Sequence, residues 1–161
     1  MSDETSVLIS IRPEWVVEIA DGFKEMEVRK NRPNLELPFK AYIYCTMGQS
    51  ENTVPGTSRT GLEQWRGHII GEFVCDEIFR YNPGVDFNSC TAYMFLRTAA
   101  LLHVEDIWAY SGEGKKPLYG WMISGLKIYE KPLDLSAFCD MRGEPVKRAP
   151  QSWRYVRGRA T

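Results

Sequence analysis

Apolar and polar positions along the chain predict several short strands and few helices. Residues 7–11, Val-Leu-Ile-Ser-Ile, form a β-branched run that predicts a first strand. Pro13 follows and suits a first helical turn, where its missing N–H would lack a partner anyway. Trp15, Val16 and Ile19 then share a helical face, and Gly22 supplies a stop. Residues 25–30 alternate, with Met26 and Val28 on one side and Glu25, Glu27 and Arg29 on the other, as in a half-buried strand with a charged face. Residues 40–46 repeat the pattern, setting Ala41, Ile43 and Cys45 opposite Tyr42, Tyr44 and Thr46.

The most strand-like stretch is 68–79. Strict alternation there groups Ile69, Gly71, Phe73 and Cys75 on one face and leaves Glu72 between Ile70 and Val74 on the other. A carboxylate with apolar neighbours on both sides is less solvated than an ordinary surface Glu. Residues 81–86 read as a turn, 91–102 as helix or mixed helix and loop, and 104–110 as a short helix opened by acids. Residues 111–117 form a glycine-rich turn. Strand character returns over 118–129 and is ended by Pro132, 136–138 make a helical turn, and 151–156 predict a closing strand. Pro33 and Pro38 bracket a loop, and the polar run 48–61 has little to bury. With no phosphate-loop pattern and no βαβ repetition, the expected class is mixed α/β (α+β), a small and largely antiparallel β-barrel or sheet with a few short helices. The expected organisation is one domain over 1–161 with its core at about 7–156.

At 161 residues, with 43% hydrophobic and 25% charged side chains, the chain is globular in composition and long enough for its own core. A formal charge of -1 argues against coating nucleic acid through bulk positive charge. The distribution changes that picture, because Arg142, Lys147, Arg148, Arg154, Arg157 and Arg159 face only Glu144 over residues 142–161. Cys45, Cys75, Cys90 and Cys139 form no C-x-x-C pair, and His68 and His103 stand at no ligand spacing, so reduced thiols in a cytoplasmic protein are expected and no metal or cofactor is implied. The first residues lack a leader pattern, and no apolar run approaches the roughly twenty residues that span a bilayer.

Four blocks carry a family resemblance: Gly22-Phe23-Lys24-Glu25-Met26-Glu27-Val28-Arg29, Ile70-Gly71-Glu72-Phe73, Tyr119-Gly120-Trp121-Met122-Ile123-Ser124 and Pro150-Gln151-Ser152-Trp153. In this order they resemble the ASCH family of PUA-like β-barrel domains, over residues of about 7–156. The resemblance implies a cleft between sheet and helices and a role in binding RNA or modified nucleotides. One related group hydrolyses the acetyl amide of N-acetylated cytidine with a lysine, a threonine and a glutamate. Lys24 matches the lysine and Glu72 the glutamate, while Glu27 stands where that group carries threonine.

The residues themselves leave alternatives open. Lys24 beside Glu72 reads as a ligand clamp or proton shuttle, or as a structural ion pair. Arg29 offers a planar fork to phosphate or a base edge and Glu27 an acceptor for an exocyclic amine, yet neighbours two apart on a strand also serve cross-strand salt bridges. Arg12, Tyr44, Trp121, Trp153 and Arg154 complete the candidate ligand set, since an aromatic beside a cation suits a stacked base with its phosphate. Core packing is the competing account of both tryptophans. Three functions follow: binding of RNA, single-stranded nucleic acid or a nucleoside through a basic cleft; hydrolysis of an N-acetylated cytidine or related nucleoside by Lys24, Glu72 and Glu27; and a protein-interaction module.

Overall fold

A computed structural model describes residues 4–48, 62–86 and 96–160. The predicted polar excursion at 48–61, Cys90 and the start of the predicted 91–102 helix fall wholly or largely outside these residues. The strands are β1 (Ser6–Ile11), β2 (Met26–Arg29), β3 (Phe39–Cys45), β4 (His68–Cys75), β5 (Ile78–Tyr81), β6 (Leu118–Met122), β7 (Ser124–Leu133), β8 (Phe138–Cys139), β9 (Trp153–Val156) and β10 (Gly158–Arg159). The helices are α1 (Pro13–Ala20), α2 (Leu62–Trp65), α3 (Pro83–Asp86) and α4 (Val104–Tyr110), with a 3-10 turn at Leu135–Ala137.

The first sheet has the order β7-β4-β3-β1-β9, a second has β2-β6-β5, and β10 pairs with β8. Among the described residues, β1 and β3 run parallel and the other strand pairings are antiparallel. The expected β-barrel is therefore corrected to a mixed α/β fold of several open sheets. A barrel needs its two outer strands to pair with each other. Here β7 and β9 remain edges, because β9 pairs with β1 while β2 and β6 pair in a sheet of their own.

The first sheet is apolar on both faces. Its front face, with Val7, Ile9, Ile11, Ala41, Ile43 and Phe73, packs against Val16 and Ile19 of α1 and against Trp121 of the second sheet. Its rear face, with Leu8, Tyr42, Ile69 and Val156, is covered by Phe138 and Val146. Met26 and Val28 turn to the far side of the second sheet, onto Ala99, Ala100 and Ile107. That leaves Glu27 and Arg29, two residues apart on β2, on the side facing the first sheet.

Parity along β4 departs from strict alternation. Ile70 joins Phe73 and Cys75 in the front core, and Ile69 lies at the rear. The cause is a bulge: the pairing of β4 with β7 shifts register between Ile69 and Gly71, and its pairing with β3 shifts beside Tyr44. Pro132 lies inside β7 instead of ending it, which an edge strand tolerates because one side of its backbone needs no partner.

Candidate functional site

Helix α1 ends at Asp21–Gly22, and Gly22 at φ +81° turns the chain so that the Phe23 and Lys24 N–H groups both donate to the Glu18 carbonyl at 3.0 Å. This turn aims Lys24 inward. Its Nζ donates to the Ala100 carbonyl at 2.6 Å, lies 4.7 Å from the centre of the Trp15 ring and stands 3.7 Å from Glu27 Oε2. Glu27 Oε1 meets Arg29 at 2.9 Å. The Arg29 guanidinium also donates to the Ser10 carbonyl at 2.7 Å and to Ser152 Oγ at 3.2 Å. Lys24, Glu27 and Arg29 are 3%, 7% and 9% exposed.

Burial pushes the Lys24 pKa down, the Glu27 carboxylate opposes that shift, and the Arg29 charge reinforces it. Tyr110, at the end of α4, has its pKa raised by burial and feels both Arg29 and Glu27, which brings it to the same site. The Lys30 ammonium lies 4.8 Å from the centre of its ring.

Trp121 forms the wall. It is directly opposite Glu27 in the β2–β6 pairing and fully buried. Its ring meets Phe39 and Trp153 edge-on, at 5.7 and 5.8 Å between centroids. Trp153 is half-buried, and its indole N–H donates to the Asn31 side chain at 2.8 Å. Three buried polar atoms around this cluster have no hydrogen-bond partner: Glu27 Oε2, Arg29 Nε and Trp121 Nε1.

The structure thus brings together Lys24, Glu27, Arg29, Trp121 and Trp153 of the sequence-predicted set. It does not bring Glu72 to them. Glu72 registers with Tyr42 and Lys127, on the rear face. There Lys40 meets its carboxylate at 2.9 Å and Tyr129 donates to it at 3.0 Å. Partial burial pushes the Glu72 pKa up, but the bonds from Lys40 and Tyr129 outweigh that and hold it below the usual value. Tyr44 packs on the same rear face, and Arg154 lies 3.9 Å from Asp140 there. Arg12 is exposed at the start of α1, where its backbone carbonyl receives the Trp15 and Val16 N–H groups.

Sequence reasoning passed over Trp15, Ser10, Ala100 and Tyr110. Ser10 carried a signal, being the one polar residue in the run Val-Leu-Ile-Ser-Ile. Ala100 contributes only its carbonyl, and Tyr110 reaches the site through the tertiary fold, so neither left a local mark. Among the described residues, no group of His, Cys, Asp and Glu side chains is arranged to hold a metal, and no helix is long and apolar enough to cross a membrane.

The open mixed fold that holds this cluster is similar to that of ASCH-domain proteins. The ASCH protein of Zymomonas mobilis superposes with a TM-score of 0.56 at 19% identity, over 93% of this chain and 86% of that one. Its tyrosine-to-phenylalanine variant gives 0.61 at 18% identity over 93% and 88%, and its serine-to-alanine variant 0.62 at 17% over 96% and 90%. At this identity the likeness establishes the fold. No protein-family model and no curated protein matches the sequence.

Proposed function

We propose that the protein binds a nucleobase-bearing ligand, a nucleotide or single-stranded nucleic acid, at the Lys24–Glu27–Arg29 site. The observation that carries this reading is the set of three buried atoms without a hydrogen bond, Arg29 Nε, Trp121 Nε1 and Glu27 Oε2, the last facing the Lys24 ammonium at 3.7 Å. A buried donor or acceptor left unpaired costs about 1–3 kcal/mol, so three in one cluster mark where a ligand supplies the missing bonds. Glu27 asks for a donor; Arg29 and Trp121 ask for acceptors. The edge of cytosine carries an exocyclic amine beside acceptors, whereas uracil sets a carbonyl where that amine would be. Two cations against one carboxylate leave net positive charge, which favours a phosphate.

Calorimetric titration with cytidine and uridine monophosphates tests the reading. A base mismatch of about 1–3 kcal/mol corresponds to roughly 5- to 150-fold preference for cytidine. Equal affinity for the two, or a preference unchanged by Glu27→Gln, overturns it.

A second reading, hydrolysis of the acetyl amide of N-acetylated cytidine, is favoured by Lys24, whose lowered pKa beside the Glu27 carboxylate suits proton transfer. In this reading Glu27 is the carboxylate at hand, since Glu72 belongs to the rear face. Release of acetate from N-acetylated cytidine by the wild type, lost in Lys24→Met, supports it; absence of release across pH removes it.

A further inference from the structure

The C-terminal segment builds the layer behind the first sheet and gathers the chain's densest positive charge there. Three extended segments lie side by side. Strand β8 pairs with β10 on one flank, while on the other the Val146 N–H donates to the Phe138 carbonyl at 2.9 Å and Pro145 bridges to Cys139. Across this layer the Arg157 N–H donates to the Cys139 carbonyl at 2.9 Å, so Arg157 and the Val146–Lys147 segment flank β8 about 10 Å apart, two strand spacings.

The acids of residues 140–160 are Asp140 and Glu144. Asp140 is committed locally: its carboxylate accepts from the Arg142 and Glu144 N–H groups at 2.9 and 3.0 Å and faces Arg154. Arg142, Lys147, Arg148, Arg157 and Arg159 are exposed, and Val146 is buried beneath them as an anchor. Because the whole chain carries -1, the remainder is net acidic, and this layer is a local concentration of positive charge.

The layer also runs into the site. Arg148 is followed by Ala149 and Pro150, whose carbonyl accepts from Ser10 Oγ at 2.6 Å. Ser152 next accepts from the Ser10 N–H through its carbonyl at 2.9 Å and from Arg29 through its Oγ. Four residues span at most about 14 Å.

We propose that Lys147, Arg148 and Arg157 form a phosphate track for a single-stranded nucleic acid whose splayed base enters the Lys24–Glu27–Arg29 site, making the ligand a polymer and not a free nucleoside. The track rests on the base-site reading for its direction and can fail independently of it. Each side chain on the track neutralises one phosphate. Three such contacts on a single strand give a slope of about -2 in log affinity against log salt, roughly a 20-fold loss between 50 and 200 mM.

The test measures binding of a ten-nucleotide oligocytidylate RNA, cytidine monophosphate and phosphatidylserine vesicles to the full chain, wild type and K147E/R148E/R157E. The expected result is oligonucleotide affinity reduced at least 20-fold in the variant, its salt slope lowered by about 2, and monophosphate affinity within twofold of wild type. An unchanged salt slope overturns the track. So does a wild type that ignores the oligonucleotide at low salt, or one that binds the vesicles in its place, which assigns the surface to anionic lipid. Equal loss of the monophosphate reduces the layer to structural support of the site. Oligonucleotide binding that obeys the slope while the monophosphate does not bind keeps the track and sinks the base site.

Discussion

Replacing Glu27 by alanine removes the one carboxylate between two buried cations. Lys24 lies 3.7 Å from one of its oxygens and Arg29 2.9 Å from the other. After the change, Arg29 keeps the Ser10 carbonyl and Ser152 Oγ, and Lys24 keeps the Ala100 carbonyl and the face of Trp15. These dipoles hold the groups in place without cancelling their charges. Removing one partner of a buried ion pair costs about 3–5 kcal/mol. Lys24 limits the damage, because losing Glu27 lowers its pKa further and lets it go neutral; Arg29 has no such escape. At about 2–4 °C per kcal/mol for a chain of this length, the melting temperature falls by about 6–20 °C. Urea unfolding with an unchanged m-value checks the free energy. Adding Lys24→Met to the alanine variant restores part of the loss, since it removes the cost of neutralising or burying the Lys24 amine without its carboxylate. A melting-temperature drop under about 2 °C for Glu27→Ala refutes the claim that these three side chains form one buried, mutually compensated unit.

Three other outcomes are expected. Lys40 and Tyr129 hold the Glu72 pKa below its ordinary 4.5, so its contribution to stability is present above that pH and lost as pH falls through the folded value; Glu72→Gln therefore gives a flatter acid limb in urea titrations, and an unchanged limb contradicts the assignment. Burial pushes the Cys45 and Cys75 thiols up to about 12, so alkylation at neutral pH reaches them only as fast as the protein unfolds; rapid native labelling at either, read by mass spectrometry, counts against their burial. A Cβ at Gly71 would collide with the Lys127 backbone carbonyl across the β4–β7 pairing, so Gly71→Ala costs on the order of 1–3 kcal/mol. A wild-type urea midpoint for that variant would show that the two strands can separate without cost.

Local pattern revealed the elements better than their assembly. The alternation of Met26 and Val28 against Glu27 and Arg29 located β2, since a strand with one apolar and one charged face writes itself at period two, but the expected half-burial is corrected: the charged face is buried against the first sheet as well. Pro13 and Gly22 marked both ends of α1 through backbone constraints that act within a residue or two. The side of β4 that bears Glu72 was assigned correctly relative to Phe73, but which neighbour that side faces depends on strand order, and strand order is set by pairings that join distant residues. The bulge at Ile69–Gly71 was equally hidden, because an extra residue in a ladder is visible only against its partner strand. Openness of the sheets likewise turned on whether β9 met β1 or β7. Among the site residues, Lys24, Glu27, Arg29 and Ser10 left a trace in the sequence, whereas the Ala100 carbonyl and Tyr110 left none.

The pairing of β9 with β1 has a consequence for synthesis. Pro150 and Ser10, hydrogen-bonded in the folded chain, are 140 residues apart in sequence. At roughly 5–20 residues per second, β1 waits about 7–28 s for the strand that covers it. During that interval the Val-Leu-Ile-Ser-Ile segment offers an open apolar edge of the kind that recruits other strands. Arg29 meanwhile lacks Ser152. A growing chain therefore holds Lys24, Glu27 and Arg29 long before Pro150 and Ser152 can reach Ser10 and Arg29, and the cluster is completed only with the last strand of the first sheet.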